Sequence, residues 1–143
     1  MRKTLRGAVG RLLYLNLTRP DISFRTNDLA RVPPGADLRE KIKEARELTE
    51  LAKQTPLEIK YSKLGPLESL SLKVYADASF GGTDKGRKST EGHIILLRGN
   101  SDLCVPIAWR SKLISRVCKS AKSAKTMALK NALDTAVGIG QQL

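Results

Sequence analysis

The chain has 143 residues, 41% hydrophobic and 28% charged, enough for one modest domain with a core of its own, which excludes global disorder. A net charge of +12 and a pI of about 10.1 favour a polyanionic partner, most often nucleic acid. Two isolated cysteines, Cys104 and Cys118, exclude a disulfide scaffold and structural zinc, and no apolar run approaches the ~20 residues of a membrane span.

The first element is a helix over 4–16, with Leu5, Ala8, Val9, Leu12, Leu13 and Leu15 at helical spacing. Its start, Met1 to Arg11, is Arg-rich and acid-poor, as a mitochondrial presequence is, or it is simply the first helix of the fold. Thr18 is placed to cap a second helix, with Pro20 and Asp21 in its first turn and Ile22, Phe24 and Leu29 as its contacts up to Arg31. Val32-Pro33-Pro34-Gly35 ends it. Asp37, with Glu40 three residues on, resembles a capping box. The helix it starts carries one apolar stripe of Leu38, Ile42, Ala45, Leu48 and Leu51, and Pro56 marks its end.

A short strand is expected at Leu57–Tyr61, then a Gly65-Pro66 turn. Leu70–Ala76 alternates Leu70, Leu72, Val74 and Ala76 on one face, as a half-buried strand does. Residues 80–91 are polar and Gly-rich, a turn. Gly92–Arg98 is a second strand, Gly99–Asp102 a turn and Val105–Arg110 a third strand. Ser120 caps a last helix whose apolar positions include Ala121, Ala124, Ala128, Leu129, Ala132, Leu133, Ala136 and Ile139, with Gly138 and Gly140 weakening its end. Segregated helices and an antiparallel meander make the fold class α+β.

Charge is not spread evenly. Residues 1–35 carry seven Lys/Arg against two Asp, residues 36–70 seven of each sign, and residues 71–143 twelve basic against five acidic. No acid lies between Leu103 and Leu133, where Arg110, Lys112, Arg116, Lys119, Lys122, Lys125 and Lys130 all occur. The plain reading of such a run is a solvated face; its length without a balancing acid favours a surface that contacts a polyanion. His93, alone of its kind and mid-strand, is expected to pack rather than react. Trp109 could stack on a base, though packing in the core against a helix is the plainer expectation. The glycines at 81, 82 and 86 have the wrong spacing for a phosphate loop.

Several segments, in this order, resemble the end of a copia-type retrotransposon polyprotein over nearly the whole chain. Gly7-Ala-Val-Gly-Arg-Leu-Leu-Tyr14-Leu15 and Thr18-Arg-Pro-Asp-Ile-Ser-Phe24 are similar to the segment that follows the reverse transcriptase palm. Tyr75-Ala-Asp-Ala-Ser79, Arg87-Lys-Ser-Thr-Glu-Gly92 and Pro106-Ile-Ala-Trp-Arg-Ser-Lys112 resemble the first three strands of its RNase H domain, and Ser120 to Leu129 the start of that domain's first helix. The resemblance implies a helical lead-in over 1–56 like the reverse transcriptase connection. Over 57–143 it implies a truncated RNase H-like antiparallel three-strand meander packed on a helix.

That family hydrolyses RNA in RNA–DNA hybrids with two metals held by several carboxylates. By the resemblance the first aspartate is Asp77, the helix glutamate falls at Lys125, and a further upstream glutamate falls at Ser123. The next aspartate belongs to a fourth strand that these 143 residues do not reach. A catalytic set reduced to Asp77, with an ammonium at 125, implies no enzyme, no metal and no cofactor. Lys125 is then placed either to pair with Asp77 or to stand as an ordinary exposed helix lysine, with Asp77 an ordinary strand-end residue.

The leading expectation is a non-catalytic RNA-binding structural component of a ribonucleoprotein, for example a ribosome, mitochondrial ones included. It would derive from a retroelement RNase H fold, sit in an intracellular reducing compartment and have other proteins of a large complex as partners. Arg110, Lys112, Arg116, Lys119 and Lys122 are the candidate phosphate contacts. Two alternatives stand beside it. One is a protein-interaction subunit without RNA, docking by the 37–54 helix. The other is an inactive fragment of a retrotransposon reverse transcriptase/RNase H polyprotein.

Overall fold

The computed structural model describes residues 1–81, 88–100 and 103–142. The chain divides into two compact units, Met1–Glu58 and Ile59–Leu143.

The first unit is helical. Helix α1 (Arg2–Leu15) buries Leu5, Val9 and Leu12, one face at steps of four and three. The second helix departs from the sequence reading. The Thr18 hydroxyl donates to the Leu15 carbonyl at 3.2 Å and so closes α1 instead of capping the next helix. A single 3-10 turn at Pro20–Ile22 then leads into a short α2 (Ser23–Leu29). The tighter start rotates the helix, so Ile22, Ser23, Thr26 and Leu29 point inward while Phe24, expected to pack, is 59% exposed.

Helix α3 (Leu38–Gln54) begins at Asp37, whose side chain accepts from the Arg39 amide at 2.8 Å, one residue short of the Glu40 position a capping box uses. Its stripe runs through Ala45 and Leu48 to Ala52; Leu51, expected on that stripe, is 42% exposed. Arg19 braces this end of the helix. Its buried guanidinium donates to the Ala52 carbonyl at 2.7 Å and grips both Asp21 carboxylate oxygens, at 2.8 and 2.7 Å. Leu5, Val9, Leu12, Ile22, Leu29, Ala45, Leu48 and Ala52 form one core, in which each fully buried Leu or Ile contributes about 1.5–3 kcal/mol.

The strand expected at Leu57–Tyr61 is absent. Among the described residues no strand pairs with it, and Leu57 and Tyr61 are 47% and 64% exposed. Gly65 adopts φ +114°, but no turn forms at Gly65-Pro66, and a 3-10 turn follows at Leu67–Ser69.

The second unit is a three-stranded antiparallel sheet, β1 (Ser71–Ser79), β2 (Thr90–Arg98) and β3 (Cys104–Leu113), in the order β1-β2-β3, with one helix, α4 (Ala121–Gly140). The strands are longer than the hydrophobic alternation alone predicts. The added cross-strand row Ala78–Glu91–Lys112 is kept by Ala78 packing against the Ile114, Cys118 and Ala124 cluster and by a Glu91–Lys112 ion pair. Between Ile95 and Leu96 the β2–β3 register slips, leaving Ile107 as a bulge beside Pro106, which has no N–H to offer a ladder. The turn expected over 80–91 and the turn over Gly99–Asp102 lie partly outside the described residues.

Ser120 caps α4 as expected, accepting from the Ser123 amide at 3.1 Å. Ala124, Ala128, Ala132 and Ala136 bring the helix close to β1 and β2, their small side chains letting the backbone approach. Leu129 and Leu133, among the apolar positions of this helix, are 50% and 48% exposed because they point away from the sheet. Cys118 is buried and Cys104 half-buried, and neither is in a disulfide. No described helix is long and apolar enough to cross a membrane.

Candidate functional site

The face of the sheet that meets α4 is set by alternation. Leu72, Val74, Ala76 and Ala78 of β1 stand beside Leu97, Ile95, His93 and Glu91 of β2. Asn131 of α4 donates to Glu91 Oε2 at 2.7 Å, which fixes this as the helix-facing side. Asp77 has the opposite parity, but it sits on the edge strand β1 near its end. Lys125, in the second turn of α4, reaches around that edge, and its Nζ lies 3.1 Å from Asp77 Oδ1.

The two positions that the resemblance matches to metal-holding carboxylates therefore meet in space as a carboxylate and an ammonium. Both are open to water, with side chains 75% and 61% exposed. The Ala78 amide, and then Lys125, hold the Asp77 carboxyl below the usual carboxylate range, so it is ionised at neutral pH. Ser123, at the third position, offers no charge; its amide is spent on the Ser120 cap and its side chain is half-buried. A divalent ion needs several oxygen donors with net negative charge. One carboxylate beside an ammonium supplies neither, so the residues present do not fit the metal pair. Among the described residues no cluster of three His, Cys, Asp or Glu could hold a metal ion.

The five candidate phosphate contacts do not share one environment. Arg110 is exposed near the end of β3, and Arg116, Lys119 and Lys122 are exposed along the loop into α4 and its first turn. Lys112 is different. It is half-buried, with Nζ 3.2 Å from Glu91 Oε1, and the Glu91 side chain is only 2% exposed. A lysine that neutralises a buried carboxylate is held by the fold and is not available to a phosphate, which corrects its place in the set. His93 is buried next to this pair. Burial, with Arg110 and Lys112 nearby, pushes its imidazole below the ordinary value, against the pull of Glu91, so it is neutral at physiological pH.

Two residues escaped the sequence reading. Glu91 falls at the end of a stretch that reads as a polar turn; its parity with His93 and Ile95 is the signal that places it on the helix-facing side. Tyr75 is legible in the same way, since Leu72, Val74 and Ala76 facing α4 puts Lys73, Tyr75 and Asp77 on the other side. Trp109 pairs with Ile94 and so faces away from α4, correcting the expectation that it packs on a helix.

Comparison with known proteins bears on this constellation. Two Arabidopsis thaliana proteins, the retrovirus-related Pol polyproteins from transposons RE1 and RE2, are 32% and 36% identical to the chain over 126 and 128 residues. The chain is thus similar to a fragment of a retrotransposon Pol polyprotein. Each match takes in 88% of this chain but 8% of the relative, so the chain corresponds to a small segment of these copia-type polyproteins. The α+β order of three helices, three antiparallel strands and a helix is that of an RNase H-like fragment after a helical lead-in. No protein-family model and no solved structure matches the chain.

Proposed function

We propose that the chain is a catalytically silent RNase H-like segment of copia-type Pol descent, which meets nucleic-acid phosphates through Arg110, Arg116, Lys119 and Lys122. The observation that carries the silent half is the 3.1 Å ion pair between Asp77 and Lys125. It sets an ammonium where the family's chemistry needs a second carboxylate, so the local charge that would recruit a dication is cancelled. The phosphate half is supported by four exposed cations in a stretch with no acid from Leu103 to Leu133.

Kinship with Pol polyproteins favours this retroelement reading over a component of a ribonucleoprotein; it lends no support to a ribosomal or mitochondrial role. The protein-interaction reading keeps one observation in its favour, and it lies on α4 rather than on the 37–54 helix. Leu129, Leu133 and Val137 form an exposed apolar ridge at steps of four, 50%, 48% and 59% exposed.

The test is an RNA–DNA hybrid incubated with the chain and Mg²⁺ or Mn²⁺. The proposal expects no strand cleavage above background. Cleavage that needs the divalent ion and disappears in Asp77→Asn would overturn it.

A further inference from the structure

The two faces of the sheet differ in kind. Toward α4 the rows run from aliphatic, with Leu72, Val74, Ile95 and Leu97, to polar, with His93 and the Glu91–Lys112 pair. The outer face has an aromatic centre, the cross-strand row Tyr75–Ile94–Trp109. Tyr75 is 49% exposed and Trp109 half-buried. With strands about 4.8 Å apart, rings on β1 and β3 stand about 10 Å from each other.

This row is flanked by a small-residue row on one side and by cations on the other. On one side lies the row Asp77–Gly92–Ser111, where Gly92 leaves the middle of the sheet without a side chain. On the other side Lys73 is exposed, with Nζ 5.2 Å from the Tyr75 ring centroid. Arg98, exposed, stands two residues beyond Leu96 on the same face of β2. Among the described residues of this face the one acid is Asp77, and Lys125 neutralises it.

We infer that this outer face is a stacking platform for single-stranded nucleic acid. Tyr75 and Trp109 receive unstacked bases, and Lys73 and Arg98 meet the adjoining phosphates. Sheet-borne aromatics flanked by cations bind single strands in this way because every base offers a π-face and the strand carries its charge alongside. Charge complementarity selects this occupant. Lys73 and Arg98 put positive charge beside the rings, and the Lys73 ammonium already lies over one ring as a cation does in a stacked assembly. A duplex keeps its bases stacked inside and cannot use the rings. The platform is separate from the Arg116–Lys122 stretch and does not depend on whether the chain cleaves hybrids.

Trp109 is the chain's single tryptophan, so its fluorescence reports on the platform directly. The experiment titrates the full chain with single-stranded oligouridine, and in parallel with an RNA duplex of equal length. The expected result is saturable quenching of Trp109 by oligouridine, with affinity reduced about tenfold in Tyr75→Ala and retained in Tyr75→Phe. Tyr75 is half exposed, so its substitution leaves the fold intact, and circular dichroism verifies this. The double variant Arg116→Glu, Lys119→Glu is expected to keep the quenching even if overall affinity falls. Oligouridine that binds without changing Trp109 emission, equal affinity in Tyr75→Ala, tighter binding of the duplex, or no binding with self-association through Tyr75 would each overturn the inference.

Discussion

Glu91 of β2 and Asn131 of α4 are forty positions apart in sequence and joined by a 2.7 Å hydrogen bond between side chains. The bond satisfies one oxygen of a carboxylate that is 2% exposed, and Lys112 stands at the other. Helix and sheet are thus registered by a polar contact at the end of the layer where His93 and Lys112 also lie. Removing a donor to a buried charge costs about 1.5–3 kcal/mol. Asn131→Ala should therefore destabilise the second unit by about 2 kcal/mol in urea unfolding. Lys112→Ala should cost about 3 kcal/mol, because it leaves the carboxylate buried without its counter-charge. Equal stability of both variants with the native chain would show that Glu91 does not hold the helix.

In the first unit the corresponding joint is Arg19. Its hydrogen bonds to Asp21 hold the Asp21 carboxyl below its ordinary value, somewhat opposed by burial. A carboxyl depressed in the folded state contributes stability above its unfolded value, about 3.9, and loses it as pH falls through the folded value. The first unit should weaken below about pH 4, and Asp21→Asn should remove that part of the pH dependence. Because Asp21 is partly open to solvent, the substitution at neutral pH should cost only about 1 kcal/mol. Thermal melts of both proteins across the acid range measure it.

Gly99, at the end of β2, is packed against the chain entering the sheet. A Cβ there would fall inside the van der Waals surface of the Leu64 carbonyl, a backbone group that cannot swing aside. Gly99→Ala should destabilise the second unit by about 1–3 kcal/mol. Gly138→Ala, with open space around it in α4, should stabilise by a few tenths to about 1 kcal/mol through helix propensity. Denaturant midpoints of the two variants should move in opposite directions.

The basic stretch makes a graded prediction. Replacing one phosphate-contacting cation should reduce the slope of log affinity against log salt by about 0.7–0.9 without altering sequence preference. Arg116→Ala and Lys119→Ala should do this. Lys112→Ala should act mainly through stability, since its charge is engaged by Glu91. Salt-dependent binding isotherms on one RNA separate the two behaviours.

Much of this architecture is legible in the sequence. Periodicity gives α1, α3 and α4, and alternation gives three strands in the right order. Ser120 announces its helix because a hydroxyl before an alanine-rich run has one obvious use. The features that escape are non-local. The Thr18 hydroxyl turns back to Leu15, and that choice shifts the register of α2 and exposes Phe24. The Leu57–Tyr61 strand looks sound locally but has no partner to pair with. At the site, Asp77 and Lys125 can be matched to family positions, yet their parity alone, with Asp77 facing away from the helix, argues against contact. Only the edge position of β1 allows it. Glu91 is hidden because nothing local says that a carboxylate in a polar stretch will be buried.

Titration with Mn²⁺, monitored by its paramagnetic effect on the Asp77 and Lys125 resonances, measures directly whether Lys125 closes the metal position at Asp77. The native chain should show no saturable site, and Lys125→Glu, where a second carboxylate joins Asp77, should show a weak one. Saturable Mn²⁺ binding to the native chain that broadens Asp77 and is lost in Asp77→Asn would contradict this closure.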